Sequence, residues 1–228
     1  MNVAIILSGG TGTRVGGDLP KQYIPVAEKP IIAYCLETLE KHDKITGIWI
    51  VAQDCFYDLI RDYCGEKLMG FSKPGENRQC SIYNALKDLS SFLQAEDGVL
   101  IHDAARPLLS NGLVSACLSA LERYDGVLPT LPMKDTIYYS EDGIQISSLM
   151  QRESLFAGQA PEAFRYGKYF ATNEALWPDQ IMQINGSAEP AILAGMEIGM
   201  IPGEERNFKI TIKTDLERFR LIIKEDLQ

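Results

Sequence analysis

Arg14 and Lys21 flank the second half of a run of small residues, "SGGTGTRVGGDLPKQ" (residues 8–22), which follows the apolar segment "NVAIIL". A glycine turn after a strand brings backbone N–H groups close to an anion, because no Cβ intervenes. Ser8, Gly9, Gly10, Thr11 and Gly12 make up that turn. Arg14 adds a planar fork of donors and Lys21 a compact charge. Two familiar phosphate loops do not fit. A dinucleotide fingerprint has Gly10 and Gly12 but meets its third glycine one place late, at Gly16. A P-loop has the spacing of Gly12 and Gly17 but meets Asp18 where a lysine belongs.

The remaining reading is a loop that cradles a nucleoside triphosphate while pyrophosphate leaves, with Arg14 and Lys21 screening the charge. A tight strand-to-helix turn with two solvated basic residues is the plainer alternative, and it gives the arginine and lysine no work. A second cluster, "HDAARP" (residues 102–107), ends another apolar run. Asp103 there can hold Mg²⁺, which favours carboxylate and phosphate oxygens. The plainer alternative is that it caps the turn or pairs with Arg106, itself either a structural partner or a ligand of the second substrate. His102 reads as a packed residue at a strand end.

Composition narrows the partners. The 228 residues carry 22 basic and 31 acidic side chains, a formal net charge of −9. That balance opposes broad binding to a nucleic-acid backbone, yet allows a small anion where basic residues converge. No apolar run approaches a membrane span, and the first strand leaves no room for a signal peptide. Five cysteines without Cys-x-x-Cys spacing, and two histidines, suggest neither a disulfide framework nor a zinc site. A cytoplasmic protein with no membrane or nucleic-acid partner is expected.

The elements that must position these residues alternate. Apolar strands ("VAIIL", "IWIVA", "GVLIHD", "GVLPTL") are separated by helical stretches from Pro30, over Cys55–Cys64, Gln79–Phe92 and Asn111–Tyr124. The pattern predicts an α/β fold with a mainly parallel sheet covered on both faces, and ligands outside the carboxyl ends of the strands. After Leu131, "DTIYY" and "IQISSL" flank "SEDG" and predict a β-hairpin arm over about 134–152. A helix over about 165–176, a strand over Phe208–Ile212 and a last helix capped by Thr214 with Glu217 follow. One domain over 1–228 is expected.

With "GGTGTRVGGDLPKQY", "GENRQCSIYNAL", "HDAARP", "KDT", "GQAPEAF" and "NFKIT" in this order, nearly the whole chain resembles the 2-C-methyl-D-erythritol 4-phosphate and ribitol-5-phosphate cytidylyltransferases. The resemblance implies a three-layer, Rossmann-like nucleotidyltransferase fold. It implies a Mg²⁺-dependent reaction of CTP with a small polyol phosphate. Gly75, Glu76 and Ser81 would read the cytosine. Lys209 would join Arg14 and Lys21 at the phosphates, and Asp103 would hold the metal. Thr136 and Arg152, in and beside the arm, would hold the acceptor phosphate across a homodimer. No general base is required, since a phosphate monoester with a second pKa of about 6 is already a dianion at neutral pH.

Two departures fall on the acceptor side. "GQAPEAF" carries Ala160 and Glu162 where the usual pattern reads Gln-Thr-Pro-Gln, so a hydroxyl that would bind the acceptor phosphate is missing. Asn185-Gly186 replaces a usual Thr-Asp pair. Methylerythritol phosphate is the leading acceptor and ribitol 5-phosphate the alternative. A non-catalytic nucleotide-binding protein is the alternative of a different class, opposed by Arg14, Lys21, Asp103 and Lys209.

Overall fold

In a computed structural model the described residues are 1–10 and 19–227. Thr11, Gly12 and Arg14 therefore lie outside them. The strands are β1 (Asn2–Leu7), β2 (Pro25–Val26), β3 (Lys29–Pro30), β4 (Gly47–Val51), β5 (Leu68–Ser72), β6 (Gly98–Asp103), β7 (Gly126–Pro132), β8 (Tyr138–Tyr139), β9 (Ser148–Leu149), β10 (Phe156–Gly158), β11 (Glu162–Arg165) and β12 (Ile198–Pro202). The helices are α1 (Ile31–Lys41), α2 (Tyr57–Arg61), α3 (Arg78–Asp88), α4 (Asn111–Ala120), α5 (Tyr166–Leu176), α6 (Glu189–Leu193) and α7 (Lys213–Asp226).

Among the described residues, eight strands form one sheet in the order β10-β7-β11-β6-β1-β4-β5, with β12 also on β7. β1 runs parallel to both β4 and β6, β4 to β5, and β7 to β12. The expected mainly parallel, three-layer α/β architecture is present. β10 and β11 are antiparallel insertions, with β11 between β6 and β7. Because β11 runs against β6, its first residue, Glu162, lies opposite Ile101, near the carboxyl end of β6.

Alternation along the central strands divides the core. Ala4 and Ile6 face α1 and α4, packing with Leu36, Leu39, Val114 and Cys117. Val3 and Ile5 face α3 and α5, packing with Ile82, Leu86 and Tyr169. Both faces of the sheet are therefore covered, as the continuous apolar strands require. A smaller cluster seats α7 through Leu216, Phe219 and Ile223 on Val26 and Ile210.

The hairpin arm forms as expected, with Tyr138 opposite Leu149 and Tyr139 opposite Ser148. Gly143 turns it at φ +72°, a conformation that favours glycine. Two expectations are corrected. Residues 208–212 are not a strand; their backbone meets the turn after β6 through one bond, from Ile210 N–H to the Ala105 carbonyl at 2.8 Å. The edge beside β7 is instead taken by β12. The last helix starts before Thr214, so Thr214 and Glu217 lie inside it. Asp215 caps it, accepting from the N–H groups of Thr211 (2.8 Å) and Ile212 (3.0 Å). Among the described residues, no helix is long and apolar enough to cross a membrane.

Candidate active site

The parallel register sets the site. Leu7 lies level with Val51 of β4 and Asp103 of β6, so three chain segments leave the sheet side by side. The chain also reverses direction across the sheet between β1 and β6, the kind of point at which such folds bind ligands. A cavity of about 600 Å³ opens there.

Gly9 and Gly10 line one wall of the cavity. A Cβ on Gly9 would stand 2.5 Å from Pro74 Cγ, so glycine is required for the first loop to pass the second. Gln22 secures the turn, donating through Nε2 to the carbonyls of Ser8 (2.7 Å) and Gly10 (2.8 Å). Ser8 sits behind the wall, its hydroxyl donating to Tyr23 Oη at 2.8 Å. Lys21 opens a single turn of 3₁₀ helix, Lys21–Tyr23, and lines the cavity.

Gly75, Glu76 and Ser81 line the cavity from the second loop and the start of α3. Asn77 caps α3, its Oδ1 accepting from the Cys80 N–H at 2.7 Å. The Ser81 hydroxyl accepts from the Gly75 N–H (3.0 Å) and donates to the Asn77 carbonyl (2.9 Å), which fixes the loop's curvature. A Cβ on Gly75 would meet Cys80 Cβ at 2.4 Å.

Asp103 is the centre of charge. Its Oδ1 accepts from Arg78 Nε (3.3 Å) and Nη2 (3.2 Å). Its Oδ2 lies 3.0 Å from Lys209 Nζ and 3.6 Å from Arg106 Nε. Burial alone would raise this carboxyl, but Arg78, Lys209 and Arg106 outweigh it and hold the group well below the usual carboxylate range. His102 is pushed down to about 4 by burial, so it stays neutral near pH 7. Its Nε2–H donates to the Arg106 carbonyl at 2.9 Å, and its role is to fix the turn. Arg106 does not line the cavity; its Nη1 donates to the Asn207 carbonyl at 2.7 Å.

Of the acceptor-side residues, Glu162 stands beside Arg78. Ala160 is buried, and its carbonyl accepts from Asn207 Nδ2 at 2.7 Å. Glu162 Oε1 stands 3.9 Å from Arg78 Nη2, and its Oε2 is buried without a hydrogen-bond partner. Burial raises the Glu162 carboxyl against the opposing pull of Arg78 and the Ser187 hydroxyl. Asn185 is exposed, its N–H donating to Glu189 Oε2 at 2.7 Å. Thr136 and Arg152 do not line the cavity. Thr136 is exposed on the arm, and Arg152 donates to the Lys134 carbonyl at 3.1 Å.

Lys21, Lys209, Asp103, Gly75, Glu76, Ser81, Gly9 and Gly10 are thus brought to one cavity. Sequence reasoning missed Arg78, which reaches Asp103 from the first helical position of α3, and Gln22, which holds the glycine turn. The signal for Arg78 was a basic residue opening a helix, where it opposes the helix dipole and so needs a carboxylate in reach. Among the described residues, no three His, Cys, Asp or Glu side chains converge as a metal cage. Asp103 presents one carboxylate to the cavity, which suits a hard cation taking its other ligands from phosphates and water.

The chain is 33% identical over 226 residues to a bifunctional enzyme IspD/IspF of Paramagnetospirillum magneticum, covering 96% of this chain but 56% of that protein. It is 32% identical to the 2-C-methyl-D-erythritol 4-phosphate cytidylyltransferase of Geobacter metallireducens, covering 98% of each. It is 29% identical to the ribitol-5-phosphate cytidylyltransferase of Lacticaseibacillus paracasei, covering 99% of each. Its fold matches the crystal structure of 4-diphosphocytidyl-2C-methyl-D-erythritol synthase from Anaerococcus prevotii with a TM-score of 0.83 at 23% identity, over 98% of this chain and 96% of that one. The model of the family described as IspD, 2-C-methyl-D-erythritol 4-phosphate cytidylyltransferase, matches residues 2–225, and the chain belongs to that family.

Proposed function

We propose that the protein is a cytidylyltransferase that joins CTP to 2-C-methyl-D-erythritol 4-phosphate and releases pyrophosphate. The observation that carries the reading is the convergence of Arg78 and Lys209 on Asp103 in the cavity that Lys21 and the Gly9-Gly10 turn also line, in a chain the family model spans.

The acceptor's phosphate dianion attacks the α-phosphorus of CTP. One P–O bond forms, the α–β bridge bond breaks, and pyrophosphate leaves with the electron pair. Two anions must therefore be aligned and their repulsion screened. The Gly9 and Gly10 backbone comes close to the triphosphate, and Lys21 and Lys209 face it as point charges. Gly75, Glu76 and Ser81 form the wall that receives the base. Asp103 would hold Mg²⁺, which supplies further neutralisation of the triphosphate. Arg14 belongs to the same reading from its place in the glycine loop.

Thr136, Arg152 and Arg106 are proposed to serve the acceptor phosphate, the first two by reaching a second copy of the chain. The arm's exposed apolar side chains support a homodimer: Ile144 is 87% exposed and Ile146 67%. The net charge of −9 and five free cysteines fit a cytoplasmic enzyme without nucleic-acid or membrane partners.

Pyrophosphate release from CTP and Mg²⁺ with 2-C-methyl-D-erythritol 4-phosphate tests the reading, and no release with any polyol phosphate refutes it. Ribitol 5-phosphate is the second reading, favoured by "GGTGTR", by "GQ" at residues 158–159 and by the likeness to a ribitol-5-phosphate cytidylyltransferase at 29% identity.

A further inference from the structure

The start of α3 is tied to the acceptor-side segment 181–189 by Asn77 and Arg78, and to α5 by Gln79. Asn77 Nδ2 donates to the carbonyls of Ile181 (3.0 Å) and Met182 (3.2 Å). Gln79 Nε2 donates to Tyr169 Oη (3.0 Å) and Asn173 Oδ1 (2.5 Å). Between them, Arg78 donates through Nη1 to Ser187 Oγ and faces Glu162. The same guanidinium gives Nε and Nη2 to Asp103 and lines the nucleotide cavity.

A guanidinium is a rigid plane whose donors cannot be moved separately. Arg78 cannot turn toward an anion in the cavity without changing its contacts to Glu162 and Ser187. Ser187 in turn is held by the Tyr169 hydroxyl, which donates to its carbonyl at 2.7 Å. Tyr169 is fully buried and stacked on Phe164 with ring centroids 4.0 Å apart. A displacement of Arg78 is therefore passed to the backbone around residue 187. Glu162 stands where the usual pattern reads glutamine, and its Oε1 and Asp103 Oδ1 both approach Arg78 Nη2, at 3.9 and 3.2 Å.

We propose that Glu162 is a positioning residue: with Ser187 it holds Arg78 at the seam between the two half-sites, so that filling the nucleotide cavity tightens the acceptor-side segment 181–189. The proposal rests on the cytidylyltransferase reading above. A binding free energy shared in this way must appear as a changed affinity at the second site.

Hydrogen exchange with CTP and Mg²⁺, without acceptor, tests it in the full chain. In the wild type, CTP should slow exchange both at 75–81 and at 181–189. Glu162→Gln keeps the shape and removes the charge; Ser187→Ala removes the hydroxyl. Both variants should keep the protection at 75–81 and lose it at 181–189. Both should raise KM for the acceptor about fivefold or more while KM for CTP stays near the wild-type value. A purely structural role would lower the melting temperature and leave the CTP-dependent protection in place, which overturns the proposal. So does a wild-type segment 181–189 that ignores CTP while 75–81 responds, a result that needs no variant. CTP that protects neither segment defeats the cytidylyltransferase reading and the proposal with it, so the two failures appear at different peptides.

Discussion

Arg78 places Nε and Nη2 at 3.3 and 3.2 Å from a single oxygen of Asp103, fastening the start of α3 to the end of β6. Burial would lower the guanidinium's pKa, but Asp103 and Glu162 outweigh it and keep it charged. Arg78→Lys keeps the charge and loses the fork. Hydrogen bonds to charged groups contribute about 1.5–3 kcal/mol, so kcat/KM should fall roughly tenfold or more. Steady-state kinetics beside a thermal melt checks this, and near-normal turnover would reduce Arg78 to one cation among several.

Lys21 lines the cavity from a short turn that the Gln22 and Tyr23 side chains fasten to the Ser8 carbonyl. If it screens the triphosphate as the α–β bond breaks, Lys21→Ala should lower kcat by about two decades, the scale of a lost electrostatic stabiliser. Single-turnover kinetics at saturating CTP reads this step directly. A defect confined to KM would assign Lys21 to binding alone.

Asp103→Asn should have two effects that separate with pH. Its partners Arg78, Arg106 and Lys209 would lose their shared counter-charge, and breaking a buried pair costs about 3–5 kcal/mol. Because the folded-state pKa is lowered, the wild type's advantage is full above the unfolded value of about 4. It shrinks as pH falls toward the lower folded-state value. Melts across pH follow that loss. The Mg²⁺ requirement of the variant, measured near neutral pH, should rise, and an unchanged Mg²⁺ titration would leave Asp103 a purely structural anchor.

Much of this site could be read before the fold. Strands β1 and β6 are continuous apolar runs, so their ends, and with them the glycine loop and Asp103, could be placed at one edge of a parallel sheet. The arm was legible from its alternation around Gly143. Strands β10 and β11 were not, because each is only a few residues long and its pairing depends on β6 and β7, far away in sequence. Residues 208–212 alternate like a strand, yet that pattern serves a different end. Ile210 packs into the α7 cluster while Lys209 turns to Asp103. Arg78 was hidden for a related reason: its partners lie 25, 84 and 109 residues further along the chain, and no local spacing points to them.

The arm makes a prediction about assembly. If Arg152 serves the active site of a second copy, Arg152→Ala and Lys21→Ala damage different halves of one shared site. Mixing the two inactive variants under conditions of subunit exchange should restore about one quarter of wild-type activity, since half of the dimers are mixed and each holds one intact site. No recovery on mixing, with exchange demonstrated by light scattering or labelled subunits, would show that Arg152 acts within its own chain or not at all.

The acceptor is the last question, and it turns on Ala160. This residue is 3% exposed, and its carbonyl is fixed by Asn207, so a threonine here would hold its hydroxyl in a set direction. The Ser187 hydroxyl cannot stand in, because its oxygen accepts from Arg78 and its proton is given to the Glu162 carboxyl. Asn185 is exposed; its Nδ2 gives one N–H to the Gln183 carbonyl at 3.1 Å and has a second to offer instead. The family model and the 32%-identical relative point to methylerythritol phosphate, while one relative at 29% identity carries the ribitol name. The expected order of kcat/KM is therefore 2-C-methyl-D-erythritol 4-phosphate above ribitol 5-phosphate, with glycerol 3-phosphate below both. Ala160→Thr should lower KM for the preferred acceptor about tenfold, the low end for a hydrogen bond to a charged group, and leave KM for CTP unchanged. Asn185→Ala should raise the acceptor KM in the parent and do so less in the Ala160→Thr background, where the hydroxyl is restored. A preference for ribitol 5-phosphate would overturn the order. It would mean that losing the threonine widened the pocket for a longer chain, and Ala160→Thr should then turn the preference back toward methylerythritol phosphate.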